Sequence, residues 1–300
     1  MTQVFTFPGQ GSQRAHMLQN LPDHPNVTLI KQQAEDILGV KLNALDSQEA
    51  LTDTVNVQLA LLICGVAWGQ YLQNVGIKPD YVLGLSIGAY PAAVVAGSLD
   101  FGDALRLVKA RADSMKSAYP SGYGMLAITG AEFKHVQAAV NLLQEKGEKV
   151  YLANLNGEYQ FVLAGEKRVL KNAAEQVRSQ GIGASVFLDV TVPSHCPLLK
   201  EQSEKLLAMF QAITLKTSNS LYVSAAKARV LRKPDDIKED LALNMAHQLH
   251  WYDSCQMLAE RGVNKALEMP PGSTLTGLFR KVLNGGECYS IENINLKTIL

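Results

Sequence analysis

The sequence predicts an α/β fold: a largely parallel sheet with a ferredoxin-like subdomain inserted into it. Two observations carry this expectation. From Val4 to Lys116, short β-prone apolar runs alternate with longer helical patterns, the order expected of a parallel sheet with crossover helices. From Met125 to Val192 the order changes to βαββαβ, that of a ferredoxin-like unit. The chain has 300 residues, 47% of them hydrophobic, enough for a sizeable core.

The elements follow in order. Val4 to Phe7 reads as a first buried strand, closed by the polar, glycine-rich loop Pro8-Gly9-Gln10-Gly11-Ser12-Gln13. Helical patterns run from Val27 to Leu38 and from Val55 to Gln73. Pro79-Asp80 then releases a strand at Tyr81-Val82-Leu83. An Ala/Val-rich helix is expected from Ala89 to Leu99, and an amphipathic one from Asp100 to Lys116. A helix starting as early as Ile87 would lose a hydrogen bond at Pro91, which has no N–H.

In the inserted unit, Met125–Thr129 is a strand and Glu132–Lys146 a helix. Lys149–Leu155 and Gln160–Ala164 form a hairpin around Asn156-Gly157. Lys167–Gln180 is a helix and Ala184–Val192 a strand. Beyond it, helices are expected at Leu198–Phe210, Ile237–Ala246 and His250–Arg261, and strands at Leu221–Ser224 and Lys265–Glu268. Pro270-Pro271-Gly272 leads into a last helix. The expected division is a large domain of residues 1–123 and 193–300, and a small one of 124–192.

Composition narrows the function. The net charge is zero, so no global basic field favours nucleic acid. The longest apolar run, near Gln58 to Trp68, falls short of the roughly 20 residues of a membrane helix. The N-terminus lacks the basic start of a signal peptide. Four dispersed cysteines without C-x-x-C fit reduced thiols of a cytoplasmic protein and give no zinc signal.

Gly84-Leu85-Ser86-Ile87-Gly88, between strand and helix, has the context of a nucleophile elbow. The glycines permit the sharp turn, and the helix N-terminus favours developing negative charge. A serine needs a neighbouring base, and His135, His195, His247 and His250 are the candidates. His195 stands apart because prolines bracket its loop, Val192-Pro193-Ser194-His195-Cys196-Pro197. Arg111, on the helix after the elbow, is either solvated or a bidentate fork for a carboxylate. Asn244 is either a capping amide or one whose carbonyl orients the base.

Phe7-Pro8-Gly9-Gln10-Gly11-Ser12-Gln13, the elbow at Ser86, Asp100-Phe101 followed by Arg106 and Arg111, and Val192-Pro193-Ser194-His195 together resemble the malonyl-CoA:acyl carrier protein transacylases over nearly the whole chain. The resemblance implies an α/β-hydrolase-like core with the ferredoxin-like insert. It implies Ser86 as the acylated nucleophile, His195 as its base and Arg111 as the partner of the malonyl carboxylate. The amides of Gln10 and Ile87 are implied to form the oxyanion hole, and the Asn244 side-chain carbonyl to steady the histidine. It implies malonyl-CoA and an acyl carrier protein as partners, and neither cofactor nor metal.

Leu85 and Ala89 stand where the housekeeping enzymes carry histidine and glutamate. Gly88-Ala89-Tyr90 looks like the epsilon subunit of malonate decarboxylase, which makes that enzyme's carrier subunit the expected acceptor. The alternatives are the housekeeping transacylase of fatty-acid synthesis, a serine thioesterase, and a non-catalytic subunit that docks a carrier.

Overall fold

The computed structural model describes residues 2–119, 121–179 and 183–295. In chain order the elements are β1 (Thr2–Phe7), α1 (Pro25–Leu38), α2 (Thr54–Asn74), β2 (Tyr81–Gly84), α3 (Ala89–Val95), α4 (Phe101–Ala118), β3 (Tyr123–Thr129), α5 (Phe133–Glu145), β4 (Val150–Gly157), β5 (Gln160–Glu166), α6 (Lys167–Arg178), β6 (Ala184–Phe187), α7 (Lys200–Met209), β7 (Leu221–Ser224), β8 (Arg229–Leu231), α8 (Pro234–Leu243), α9 (Trp251–Glu260), β9 (Val263–Glu268), α10 (Thr274–Arg280) and β10 (Glu287–Ser290).

The large sheet has the order β10-β9-β1-β2-β7-β8. Its first five strands are parallel, and β8 runs antiparallel to β7. Side chains alternate between its faces, as strand geometry requires. Phe5, Phe7 and Val82 pack with α2, α3 and α4 on one face, whereas Val4, Tyr81 and Leu83 meet Trp251 of α9 and Phe279 of α10 on the other. The chain moves outward from β1 through β2 to β7, then returns to β9 on the other side of β1. Such a reversal opens a crevice at the carboxyl ends of the strands.

The second sheet is antiparallel, in the order β4-β5-β3-β6. This is the ferredoxin-like arrangement. Leu126, Ile128 and Leu163 pack under α5 and α6. Met125, Ala127 and Val162 occupy the opposite face, which covers the crevice of the large sheet.

Several local expectations are corrected. Helix α2 spans 21 residues, longer than its apolar run suggests. By length and composition alone it could cross a membrane, but most of it is buried against α1, α3 and α4. The β4–β5 turn is Glu158-Tyr159, because Gly157 already pairs with Gln160; Asn156 and Gly157 lie within β4. Strand β6 ends at Phe187, and Leu188 and Val190 turn instead to line the crevice. The short edge strands β8 and β10 carry too few residues to show a period. Pro91 sits in the first turn of α3, behind a 3₁₀ turn over Ser86–Gly88. Its missing N–H costs nothing there. The predicted helix end at Gln180 lies outside the described residues.

Packing between α2 and α3 gives a test. A Cβ on Gly69 would lie 2.6 Å from a Val95 methyl, whereas one on exposed Gly277 of α10 would meet nothing within 4 Å. Gly69→Ala should lower stability by about 1–3 kcal/mol through overpacking. Gly277→Ala should raise it by up to about 1 kcal/mol through helix propensity. Urea unfolding midpoints of the two variants should move in opposite directions.

Candidate active site

The loops after β1, β2 and β9 all open into one cavity of about 230 Å³, roofed by the small sheet. Ser86 stands at the turn after β2 with φ 57°, a left-handed conformation that is costly for a residue with a side chain. The turn is tight enough to exclude larger neighbours. A Cβ on Gly84 would lie 2.1 Å from the Gly88 carbonyl, and one on Gly88 would lie 2.2 Å from the Phe7 carbonyl oxygen.

His195 also has a positive φ, 62°, and is 2% exposed. Its amide donates to the Met245 carbonyl at 2.7 Å, which fastens the proline-bracketed loop to the end of α8. The ring nitrogen Nδ1 lies 2.7 Å from the Asn244 backbone carbonyl, and Nε2 lies 2.8 Å from Ser86 Oγ. A carbonyl can only accept, so Nδ1 carries the proton and Nε2 accepts from the serine hydroxyl. The pair can therefore move a proton from Ser86 to His195.

This geometry corrects the expectation for Asn244. Its main-chain oxygen, presented by the 3₁₀ turn Asn244–Ala246, holds the imidazole. Its side-chain Oδ1 turns away and accepts from Arg111 Nη2 at 3.4 Å.

Arg111 is 1% exposed on α4. Nη1 donates to Gln58 Oε1 at 2.5 Å, and Nη2 lies 3.4 Å from Ser86 Oγ. Among the described residues Nε is buried without a hydrogen-bond partner. All of these partners are neutral, and among the described residues no carboxylate forms an ion pair with Arg111. A buried, unpaired charge costs several kcal/mol, so the arrangement favours an anionic ligand beside Ser86. Burial lowers the guanidinium pKa, and the Tyr90 hydroxyl opposes this weakly. For His195, burial and then the Arg111 charge lower the pKa from 6.5 to about 3. The imidazole is thus neutral and able to act as a base at neutral pH.

Gln10 and Ile87 both line the cavity. The Gln10 side chain is held away by Thr54, whose hydroxyl donates to Oε1 at 2.9 Å. The other histidines stay apart: His135 lies on α5, His247 is exposed, and His250 faces Asp253 at 3.2 Å. Cys196 turns its thiol to the Pro193 carbonyl at 3.3 Å. Sequence reasoning missed Gln58. The signal for it was one polar side chain within an apolar core helix, where burial demands a partner.

A serine raised on a strand–turn–helix elbow, a neutral histidine hydrogen-bonded to it and a buried cation fit one class, an acyl-transfer enzyme on an α/β sheet. The chain belongs to the acyl transferase domain family, whose pattern it matches over residues 4–294. It is 35% identical to the malonyl CoA-acyl carrier protein transacylase of Bacillus subtilis over 93% of this chain and 90% of that one. It is likewise 35% identical to the Escherichia coli K12 protein of that name, over 95% and 94%. Among solved structures, an acyl carrier protein S-malonyltransferase from Vibrio cholerae superposes with TM-score 0.93 at 30% identity, covering 100% of both chains. A malonyl-transacylase bound to its type II polyketide acyl-carrier protein does so with TM-score 0.93 at 32% identity, covering 100% and 98%.

The electrostatics of the pair can be tested without substrate. In an NMR titration the His195 ring should stay neutral as pH falls through 6.5 and protonate only near the low value set by burial and Arg111. Arg111→Ala removes the repelling charge and should move that titration to higher pH. A wild-type His195 titrating near 6.5 would contradict the described environment.

Proposed function

We propose that the protein is a malonyl-CoA:acyl carrier protein transacylase. The observation that carries the reading is the buried, counterion-free Arg111 beside a serine–histidine pair. The names of the relatives support the same activity.

His195 Nε2 takes the Ser86 proton as Oγ attacks the malonyl thioester. The backbone amides of Gln10 and Ile87 receive the oxyanion, each such donor being worth about 10²–10³ in rate. The imidazolium returns its proton to the departing CoA thiolate, leaving malonyl-Ser86. The carrier's thiol then attacks this ester by the reverse steps, with His195 accepting the thiol proton. Arg111 holds the malonyl carboxylate throughout, exchanging its 3.4 Å contacts to neutral oxygens for a charged pair. A main-chain carbonyl on the base suits this chemistry. A carboxylate there would pair with Arg111 and repel the substrate. In this reading the large unit, 1–123 and 193–300, supplies the catalytic groups. The inserted unit, 124–192, covers them.

Intact-mass measurement after mixing with malonyl-CoA should show a malonyl adduct that Ser86→Ala abolishes. Rapid release of free malonate without transfer would favour a thioesterase. Arg111→Ala should weaken malonyl transfer by about 10- to 100-fold, the worth of a charged hydrogen bond of about 1.5–3 kcal/mol. Acetyl transfer should change little. Equal losses with both acyl groups would make Arg111 structural.

For the acceptor, likeness to malonyl CoA-acyl carrier protein transacylases favours the housekeeping carrier of fatty-acid synthesis over the malonate decarboxylase subunit. The decarboxylase-like motif also has a packing explanation. Ala89 and Tyr90 are buried, and the Tyr90 hydroxyl donates to the Leu241 carbonyl at 2.9 Å. With both purified carriers, kcat/KM should be higher for the fatty-acid carrier. The reverse preference would restore the decarboxylase role.

A further inference from the structure

Helix α8 ends one residue before Asn244, and the turn that follows supplies both bonds that hold His195. The Asn244 carbonyl takes the ring and the Met245 carbonyl takes the amide. Helix ends fray unless something fastens them. The last turn of α8 is fastened by three hydroxyls. Tyr222 Oη donates to Asp240 Oδ2 at 2.8 Å, and Ser224 Oγ donates to Oδ1 of the same carboxylate. Tyr90 Oη donates to the Leu241 carbonyl at 2.9 Å. The main-chain oxygen of Asp240 accepts from the Asn244 amide. A continuous series of bonds thus runs from β7 through Asp240 and Asn244 to His195 and Ser86.

Asp240 is 4% exposed, and Tyr222 and Ser224 are wholly buried. Among the described residues no cation forms an ion pair with Asp240; Lys227 pairs instead with Glu239 at 3.1 Å. Burial pushes the Asp240 carboxyl above its usual range, and the bonds from Ser224 and Tyr222 oppose this. Apolar side chains of similar size would fill the same space at lower cost. They would not supply direction, because only a hydrogen bond fixes both an angle and a distance. The elements tied together are those that carry the nucleophile. Strand β7 lies beside β2, which leads into Ser86, and α3, which holds Tyr90, begins where the elbow ends. The support of the base is therefore anchored to both flanks of the serine's turn, although the two residues lie 109 positions apart.

We propose that Asp240 is a positioning residue: through Tyr222 and Ser224 it fixes the end of α8, and so sets the Asn244 carbonyl that aims His195 at Ser86. Its effect on rate rests on the acyl-transfer reading above; its hold on the imidazole does not. The carboxylate touches neither substrate nor reacting atoms. It governs how steadily Nε2 stands within reach of the serine proton. In that reading the malonyl group is held by Arg111 of α4, so a loosened α8 slows the chemical step and leaves binding of the donor unchanged.

Two variants test this. Asp240→Asn keeps the size and one accepting oxygen. The triple variant Tyr222→Phe/Ser224→Ala/Asp240→Leu removes the carboxylate with its donors, so neither hydroxyl is left unmet, and its urea midpoint should stay near that of the wild type. Single-turnover acylation by malonyl-CoA gives a maximal rate and a half-saturating concentration. In the triple variant the maximal rate should fall about 10- to 100-fold, the effect of displacing a reacting group by about 1 Å, with half-saturation unchanged. Asp240→Asn should lose about 2- to 10-fold, the worth of one hydrogen bond. In proton NMR the low-field ring N–H signal of His195, identified by its absence in His195→Ala, should move upfield in the triple variant and part of the way in Asp240→Asn. A folded triple variant with the wild-type rate and an unmoved signal overturns the proposal. So does a rate that falls only together with weaker half-saturation, which marks a general distortion of the pocket. Should the triple variant not fold, Asp240→Asn decides, and a wild-type rate with an unmoved signal counts against the tie. A wild type that malonyl-CoA does not acylate overturns the acyl-transfer reading, and the ring N–H signal alone then judges the tie.

Discussion

At Gly88 an added Cβ would sit 2.2 Å from the Phe7 carbonyl oxygen, and at Gly84 one would sit 2.1 Å from the other side of the same turn. The first helical turn after β2 is thus pressed onto the end of β1. No residue with a side chain fits at either position without moving backbone. From this contact follow the left-handed Ser86, the placing of its hydroxyl in the cavity, and the closeness of the Pro8–Gln10 loop to it. A looser turn would separate the serine from both Gln10 and His195. Pre-organisation of this kind matters because small displacements of reacting groups cost large factors in rate.

The second organising force is a charge left unpaired. Arg111 is held in place by an amide oxygen, a hydroxyl and a second amide oxygen, which fix its direction without neutralising it. Burial keeps the neighbouring imidazole neutral, and the same charge adds to that effect. A substrate carboxylate settling on the guanidinium would offset that field and make His195 a stronger base at the moment a serine proton must be removed. In the proposed mechanism recognition and activation are coupled through one side chain, and the neutral carbonyl behind the histidine leaves that coupling intact.

The sequence was informative where local chemistry is decisive. The elbow was legible because only glycine allows such a turn, and His195 because two prolines isolate its loop. The βαββαβ order was legible because its periods are distinct. Arg111 was ambiguous on its own helix, since spacing alone does not say which cationic side chain a fold will bury. The resemblance implied a role for it, and the fold buries it beside Ser86. Asn244 was noticed for its side chain, but the atom that holds the imidazole belongs to the backbone, which every residue type supplies. Asn156-Gly157 gave a strong turn signal, yet two bulges carried it into a strand. Gln58 was read only as the start of an apolar run within its helix, and its bond to Arg111 joins residues 53 positions apart, which no local pattern reveals.

The order of strands has a consequence for how the molecule comes into being. Strand β1, the first structured segment of the chain, lies in the sheet between β2 and β9, and β9 begins only at Val263. Until then β1 has an unsatisfied edge, although α1, α3 and α4, which enclose α2, are already made. A growing chain therefore carries an open strand through most of its synthesis, a feature that invites pairing with other chains. Closure waits for non-local contacts, which fold slowly because loop entropy is lost before they form. The inserted sheet pairs only strands that lie between Tyr123 and Phe187 and can form before β9 is made. The lid is then made before the site it covers.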